Sequence, residues 1–276
     1  MTALDHDITP LLDEWPFEPG TINVRVIKGI DNQPKIQVRL DLGIIQMTTT
    51  GRPDGKQPFG FPSLLEYFEN KLDEWQMLDP ENREVSECRP AGIDEKDEAT
   101  SENPPDEFRL TPEDCQALRE EAAQYYHRYV ALLVLEDYEG VIRDTTRNLR
   151  VADLCRDYAE DESDRMVLEQ VRPYILMMRA RACASQALED DEPKAAILAI
   201  DEGIEAIRAH FEAIGEPDEF DESREVEMLR AMREALVPKL PVSQKAELRE
   251  RLEEAIRKEN YELAAILRNE LRMMGD

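Results

Sequence analysis

Over the first fifty residues, apolar and polar positions alternate with a period of two. Ile22, Val24 and Val26 share one face of Thr21 to Lys28, and Ile36, Val38, Leu40 and Leu42 share one face of Lys35 to Leu42. Such alternation marks half-buried strands, because successive side chains of an extended chain point to opposite faces. Turn residues from Gly29 to Pro34 predict a hairpin between the two. After Gly43 the apolar phase shifts to Ile45 and Met47, as a bulge or a third strand requires. Gly51 to Pro62 reads as a loop. Leu64, Leu65, Phe68, Leu72 and Trp75 then recur at helical spacing and predict a short amphipathic helix.

A second helical region opens at Thr111-Pro112-Glu113-Asp114. Threonine is a good N-cap, proline fits the first helical position, and an acid three residues after the cap resembles a capping box. Helical periodicity runs from there nearly unbroken to Phe211, and a further helix is predicted from Arg224 to Leu236. Two stretches in this body look alike. Leu135-Glu136-Asp137 precedes Ile142, and Leu188-Glu189-Asp190 precedes Ile197. The Leu-Glu-Asp runs are 53 residues apart and the isoleucines 55, which implies a two-residue insertion at Asp191-Glu192. Paired helices with an acidic turn follow the logic of tetratricopeptide-like repeats. The spacing exceeds their usual period of roughly 34, so a third helix is expected near Val151 to Glu160. An ordinary irregular bundle fits the same pattern.

The tail carries two apolar stripes at helical spacing. Leu248, Leu252, Ala255 and Ile256 form one, and Tyr261, Ala264, Ala265, Leu267 and Leu271 form the other, with Lys258-Glu259-Asn260 between. Two short amphipathic helices joined by a tight polar turn predict an antiparallel αα-hairpin. Neither helix is long enough to be stable alone in water, so each depends on the other or on a partner.

This tail resembles the UVR motif of the excision-repair proteins UvrB and UvrC, which also occurs in regulators of Clp-type ATPases and in the activator of bacterial protein-arginine kinase. The residues that carry the resemblance are Leu248, Leu252, Tyr261, Glu262, Ala264, Ala265, Leu267, Arg268 and Leu271. Tyr261 stands where phenylalanine is commoner. Asn269 replaces the usual aspartate, keeping an acceptor but losing the charge. The resemblance implies a protein-binding element formed by those nine residues, and a bacterial, cytoplasmic setting.

Charge changes the picture next. The 276 residues hold 62 acidic and 34 basic side chains, a formal charge of −28. Nucleic-acid binding relies on Lys and Arg neutralising phosphates, so direct contact with nucleic acid is disfavoured, and an anionic membrane surface equally so. The tail from Ser243 to Met274 has seven basic and seven acidic residues, so the whole excess sits elsewhere. Residues 79–107 alone have eleven acidic and three basic side chains with several prolines and few apolar anchors, the composition of a disordered linker. The longest apolar run, Tyr129 to Tyr138, is far short of a membrane span. The start, MTALDHDITPLLDEW, has neither a basic n-region nor an apolar h-region, so no signal peptide is expected there.

Motifs that would carry catalysis do not emerge. His6, His127 and His210 have no metal-ligand spacing, and Cys88, Cys115, Cys155 and Cys183 are dispersed, against both a zinc knuckle and a disulfide framework. Gly51-Arg-Pro-Asp-Gly55-Lys56 superficially resembles a phosphate loop but lacks its glycine spacing and the following Ser or Thr.

The expected fold is therefore mainly α: a helical bundle with TPR-like helix pairs, a small N-terminal antiparallel β unit and a C-terminal αα-hairpin. The expected divisions are 1–78, a β unit with one helix; 79–108, the acidic linker; 109–240, the helical body; and 241–276, the hairpin. The expected function is a non-enzymatic adaptor, without cofactor or metal, that docks a protein partner through the hairpin. Candidates for that partner include another UVR-bearing protein and a second copy in a homodimer. The alternatives are an accessory role in UvrB/UvrC excision repair, or regulation of a Clp-type protease or protein kinase, whose known regulators bring CxxC zinc sites absent here.

Overall fold

The computed structural model describes residues 7–78, 108–236 and 244–258, together with Ala264 and Arg268; the side chains of 244–250 are not described. The acidic linker expected at 79–108 thus lies outside the described residues except for Phe108. The described residues up to Arg230 form one compact unit and those from Ala231 a second. The fold is mainly α with one small sheet.

A short helix α1 (Thr9–Asp13) precedes strands β1 (Asn23–Lys28), β2 (Pro34–Leu40) and β3 (Gly43–Thr48). They form one antiparallel sheet in the order β1-β2-β3. The residues after Gly43 are a third strand rather than a bulge, because Leu40 pairs with Gly43 across a two-residue turn. The alternating face is only partly covered. Ile36 and Met47 on it are buried, whereas Ile22, Val26, Leu40 and Leu42, expected to be half-buried with them, are exposed. The opposite, polar face is the better covered. Asn23, Gln37 and Arg39 are buried there. The Arg39 Nε donates to the Trp15 carbonyl at 2.9 Å and the Arg25 guanidinium lies 4.2 Å from the Trp15 ring centre. Arg25 donates to Gln37 and Gln37 to Gln46, each at 2.8 Å, so buried polar groups on this face are satisfied across the strands.

Helix α2 (Leu64–Leu78) follows the loop. Its Leu64, Leu65 and Phe68 enter a core with Leu110, Leu118, Val151 and Cys155. Burying Leu65 and Phe68 is worth about 2 kcal/mol each by area.

Helices α3 (Pro112–Val134) and α4 (Tyr138–Tyr158) form one hairpin, and α6 (Arg172–Glu189) and α7 (Pro193–Ala213) a second. Between the hairpins lie α5 (Glu162–Val167) and a 3-10 turn at Glu169–Val171; α8 (Glu219–Glu222) and α9 (Arg224–Leu236) follow. α3 begins with the expected capping box, Thr111 and Asp114 each bonding the other's backbone N–H. The third helix expected near Val151 to Glu160 is instead the end of α4. Val151, Ala152 and Cys155 continue its buried face, and the chain turns extended only at Ala159.

The two hairpins repeat at a constant offset. Val134 to Glu189, Tyr138 to Pro193 and Tyr158 to Ala213 are each a step of 55 residues. The turn residues with positive φ, Glu136 (60°) and Asp191 (58°), are separated by the same step. Each turn closes in the same way. The Asp137 N–H reaches the Leu132 carbonyl at 3.0 Å, and the Glu192 N–H reaches that of Ala187 at 2.8 Å, the 6→1 bond of a Schellman motif. The expected two-residue insertion is therefore absent. The Leu-Glu-Asp likeness set the alignment two residues out, because the residue that takes the left-handed conformation is Glu in one turn and Asp in the other. Val141 and Ala196, Thr145 and Ile200, and Ala152 and Ile207 are equivalent under the 55-residue step, and all are fully buried. α3, α4, α6 and α7 each contact the next in sequence order, the neighbour-to-neighbour arrangement of stacked helix pairs.

Small residues set the close approach in the second hairpin. A Cβ on Gly203 of α7 would stand 2.4 Å from the Ala180 Cβ on α6. Gly203→Ala adds helix propensity worth about 1 kcal/mol, but the clash forces two packed helices apart at a cost of about 1–3 kcal/mol. The variant should be less stable by up to about 2 kcal/mol in a urea titration. A gain in stability would mean that the helices approach less closely than this.

The β unit is joined to the helical body through buried charge. Glu121 of α3 accepts from the Leu64 N–H at 3.0 Å, at the N-terminus of α2, where a carboxylate also meets the helix dipole. Arg147 of α4 bonds the same carboxylate, and Arg52 of the loop lies 3.0 Å from it at an angle that makes an ion pair rather than a hydrogen bond. Beside them, Arg128 grips Asp144 with two bonds of 2.6 and 2.8 Å. Arg128 also donates to the Gly51 carbonyl at 2.7 Å, and Arg143 to that of Thr49 at 3.1 Å. Glu121, Arg128 and Asp144 are fully buried.

Candidate interaction site

α10 (Gln244–Arg257) is the first helix expected in the tail. Its last backbone bond runs from the Lys258 N–H to the Glu254 carbonyl at 2.9 Å, and the Lys258 Nζ lies 2.7 Å from the Glu254 carboxylate. A lysine in that position also suits the carbonyl end of the helix. The chain then returns. Ala264, 5% exposed, joins Ala255 and the half-buried Leu252 in one apolar cluster, and both Ala264 and Arg268 are helical. Ala255 and Ala264 at the contact let the two segments approach closely.

Of the nine residues singled out in the sequence, the structure brings together Leu252 and Ala264 and leaves Arg268 exposed. Leu248 lies on α10, with its side chain outside the described residues. Tyr261, Glu262, Ala265, Leu267 and Leu271 lie outside them altogether. Ile256, read as part of the first stripe, is 46% exposed and stands at its margin.

Residues 243–275 match the family model of the UvrB/uvrC motif. The tail is a UVR motif. No curated protein and no solved structure matches the chain. A UVR motif is an interaction element, and here it is neutral while the remainder of the chain carries the full −28. Among the described residues, no helix is long and apolar enough to cross a membrane.

Elsewhere, the structure groups polar side chains that the sequence left scattered. His210 Nδ1 lies 3.4 Å from Glu169 Oε2 at a cleft of about 500 Å³ between α6, α7 and α8. Arg172 holds Glu169 with bonds of 2.6 and 2.8 Å and reaches Asp153 at 2.8 Å. Burial opposes ionisation of Glu169, but hydrogen bonds from His210 and Arg172 outweigh it and hold the carboxyl down at about 2. The glutamate is thus ionised at neutral pH and orients the imidazole. Of the other histidines, His127 is exposed on α3 beside Tyr126, and the buried aromatics of that run are Tyr125 and Tyr129. Neither His210 nor Glu169 belongs to any spacing motif, so no sequence signal joins them.

Proposed function

We propose that this protein is a non-enzymatic cytoplasmic adaptor whose UVR hairpin docks a protein partner, while the stacked helix pairs serve as scaffold. The match of residues 243–275 to the motif carries the reading. Three properties support it. Among the described residues, the contact between the two segments is made by Ala255 and Ala264 with Leu252, a close approach that a second helix pair could pack against. The half-exposed Ile256 offers an apolar contact at its edge. Neutral charge on an acidic chain favours protein over polyanion as the thing bound.

A second reading is favoured by the motif's own description, which names UvrB and UvrC. On it, the partner is one of those repair proteins and the docking is between two UVR hairpins. Both readings are addressed by affinity purification from the native host, comparing the intact chain with one lacking residues 243–276. The adaptor reading expects specific partners to disappear with the hairpin, and unchanged capture sinks it. Micromolar binding to purified UvrB or UvrC selects the repair reading; its absence leaves the partner elsewhere.

A further inference from the structure

Among the described residues of this acidic chain, four arginines gather at a cleft. Between the loop and α4 lies a cleft of about 400 Å³ lined by Arg128, Arg143, Arg147 and Arg150, with only Glu66 and Asp144 as carboxylates. The lining itself holds two more arginines than carboxylates, on a chain of −28. From outside it, Glu69 pairs with Arg150, Glu121 with both Arg147 and Arg52, and Asp54 with Arg52.

The arginines come from a local pattern. Arg143, Arg147 and Arg150 stand at i, i+4 and i+7 of α4, which places them on one face of the helix. Arg143 and Arg150 are 44% and 49% exposed at the side chain, open to a ligand arriving from solvent. Arg147 is 93% buried, its guanidinium 4.1 Å from the Tyr125 ring centre, and its Nε has no hydrogen-bond partner. Burial pushes the Arg147 pKa down to about 9, opposed by the Glu66 carboxylate and assisted by the charges of Arg150 and Arg52. Glu121 already holds the far side of this guanidinium, and the one buried donor left over, Nε, is costly unless an acceptor completes it.

We propose that this cleft binds the phosphate group of a small phosphorylated ligand. A phosphate monoester carries close to two negative charges at neutral pH and would meet the half-exposed guanidiniums of Arg143 and Arg150 on the lining. Its tetrahedral oxygens accept from several guanidiniums at once, the geometry for which arginine forks are suited. Low-dielectric walls focus the field of such a cluster and raise the local concentration of anions. The volume exceeds that of a bare phosphate and falls in the range of metabolite sites. Tyr125 and Ile142 on the lining supply apolar surface for the organic part. A polymeric nucleic acid would meet the rest of the acidic surface as well, so the ligand is small.

The test is isothermal titration of the full chain with inorganic phosphate, adenosine monophosphate, adenosine and succinate. Phosphate and the nucleotide should each bind saturably at one site, and adenosine should not bind. The double variant Arg143→Gln/Arg150→Gln removes only half-exposed side chains, so the circular dichroism should be unchanged while affinity for both phosphate compounds falls at least about tenfold. Arg143→Lys alone keeps the charge but loses the fork, and should weaken binding in the same direction. Three results overturn the proposal: no saturable binding up to about 10 mM, equal affinity in the double variant, or succinate binding as tightly as phosphate.

Discussion

Asp144→Ala should destabilise the protein by about 3–5 kcal/mol, the cost of leaving a buried partner charge uncompensated. Asp144 receives both bonds of Arg128, at 2.6 and 2.8 Å, and a third from Arg143 at 2.9 Å. The Arg128 side chain is 1% exposed, so the charge left behind would be poorly hydrated. Urea unfolding followed by circular dichroism gives the change. Asp153→Ala is the control. Asp153 also contacts two arginines but is 46% exposed, and surface pairs are worth about 0–1 kcal/mol. Equal losses in the two variants would show that burial is not what matters. The loss should also be specific to breaking the pair: Arg128→Met/Asp144→Leu, which removes both charges, should recover much of it. Because Arg128 also holds the Gly51 carbonyl, the single variant should expose the loop to protease before the helices unfold.

How much of this was legible in the sequence depended on whether the signal was local. The capping box at Thr111 and the start of α2 at Leu64 each follow from residues within a few positions of one another. The sheet was legible as three extended segments but not as to which face is covered. Alternation says that Ile22, Val26, Leu40 and Leu42 share a face with Ile36 and Met47, not that anything reaches the far end of it. The polar face was covered by Trp15 and its neighbours, a contact made by residues 24 positions from Arg39. The repeat was visible, but its register was not. Turn geometry rather than residue identity fixes the 55-residue step, and Glu136 and Asp191 are different residues.

The buried ion network was the least legible. In a chain with 35% charged residues, Glu121, Arg128, Asp144 and Arg147 look like solvated helix faces. Their pairing spans 16 and 26 residues between α3 and α4, and nothing in the spacing distinguishes these charges from the exposed ones beside them. The arginine cleft shares that difficulty, since its floor is built from a loop and two helices. The UVR motif is the opposite case. Its residues are contiguous, so the sequence pattern and the family match fall on the same segment.

The second large effect concerns docking by that segment. Deleting it removes a folded element as well as a surface, so loss of capture alone does not separate the two. A substitution at the rim does. Ile256 is 46% exposed and lies beside, not within, the Leu252–Ala255–Ala264 cluster, so Ile256→Glu should leave hairpin packing in place. An apolar anchor at an interface is worth about 2 kcal/mol or more when lost, and a buried unpaired carboxylate adds to it. The measurement is quantitative capture from the native host by intact chain and by Ile256→Glu, with helicity checked by circular dichroism. The adaptor account predicts at least about a tenfold loss of specific partner at unchanged helicity; capture at the intact level by a normally folded Ile256→Glu would contradict it.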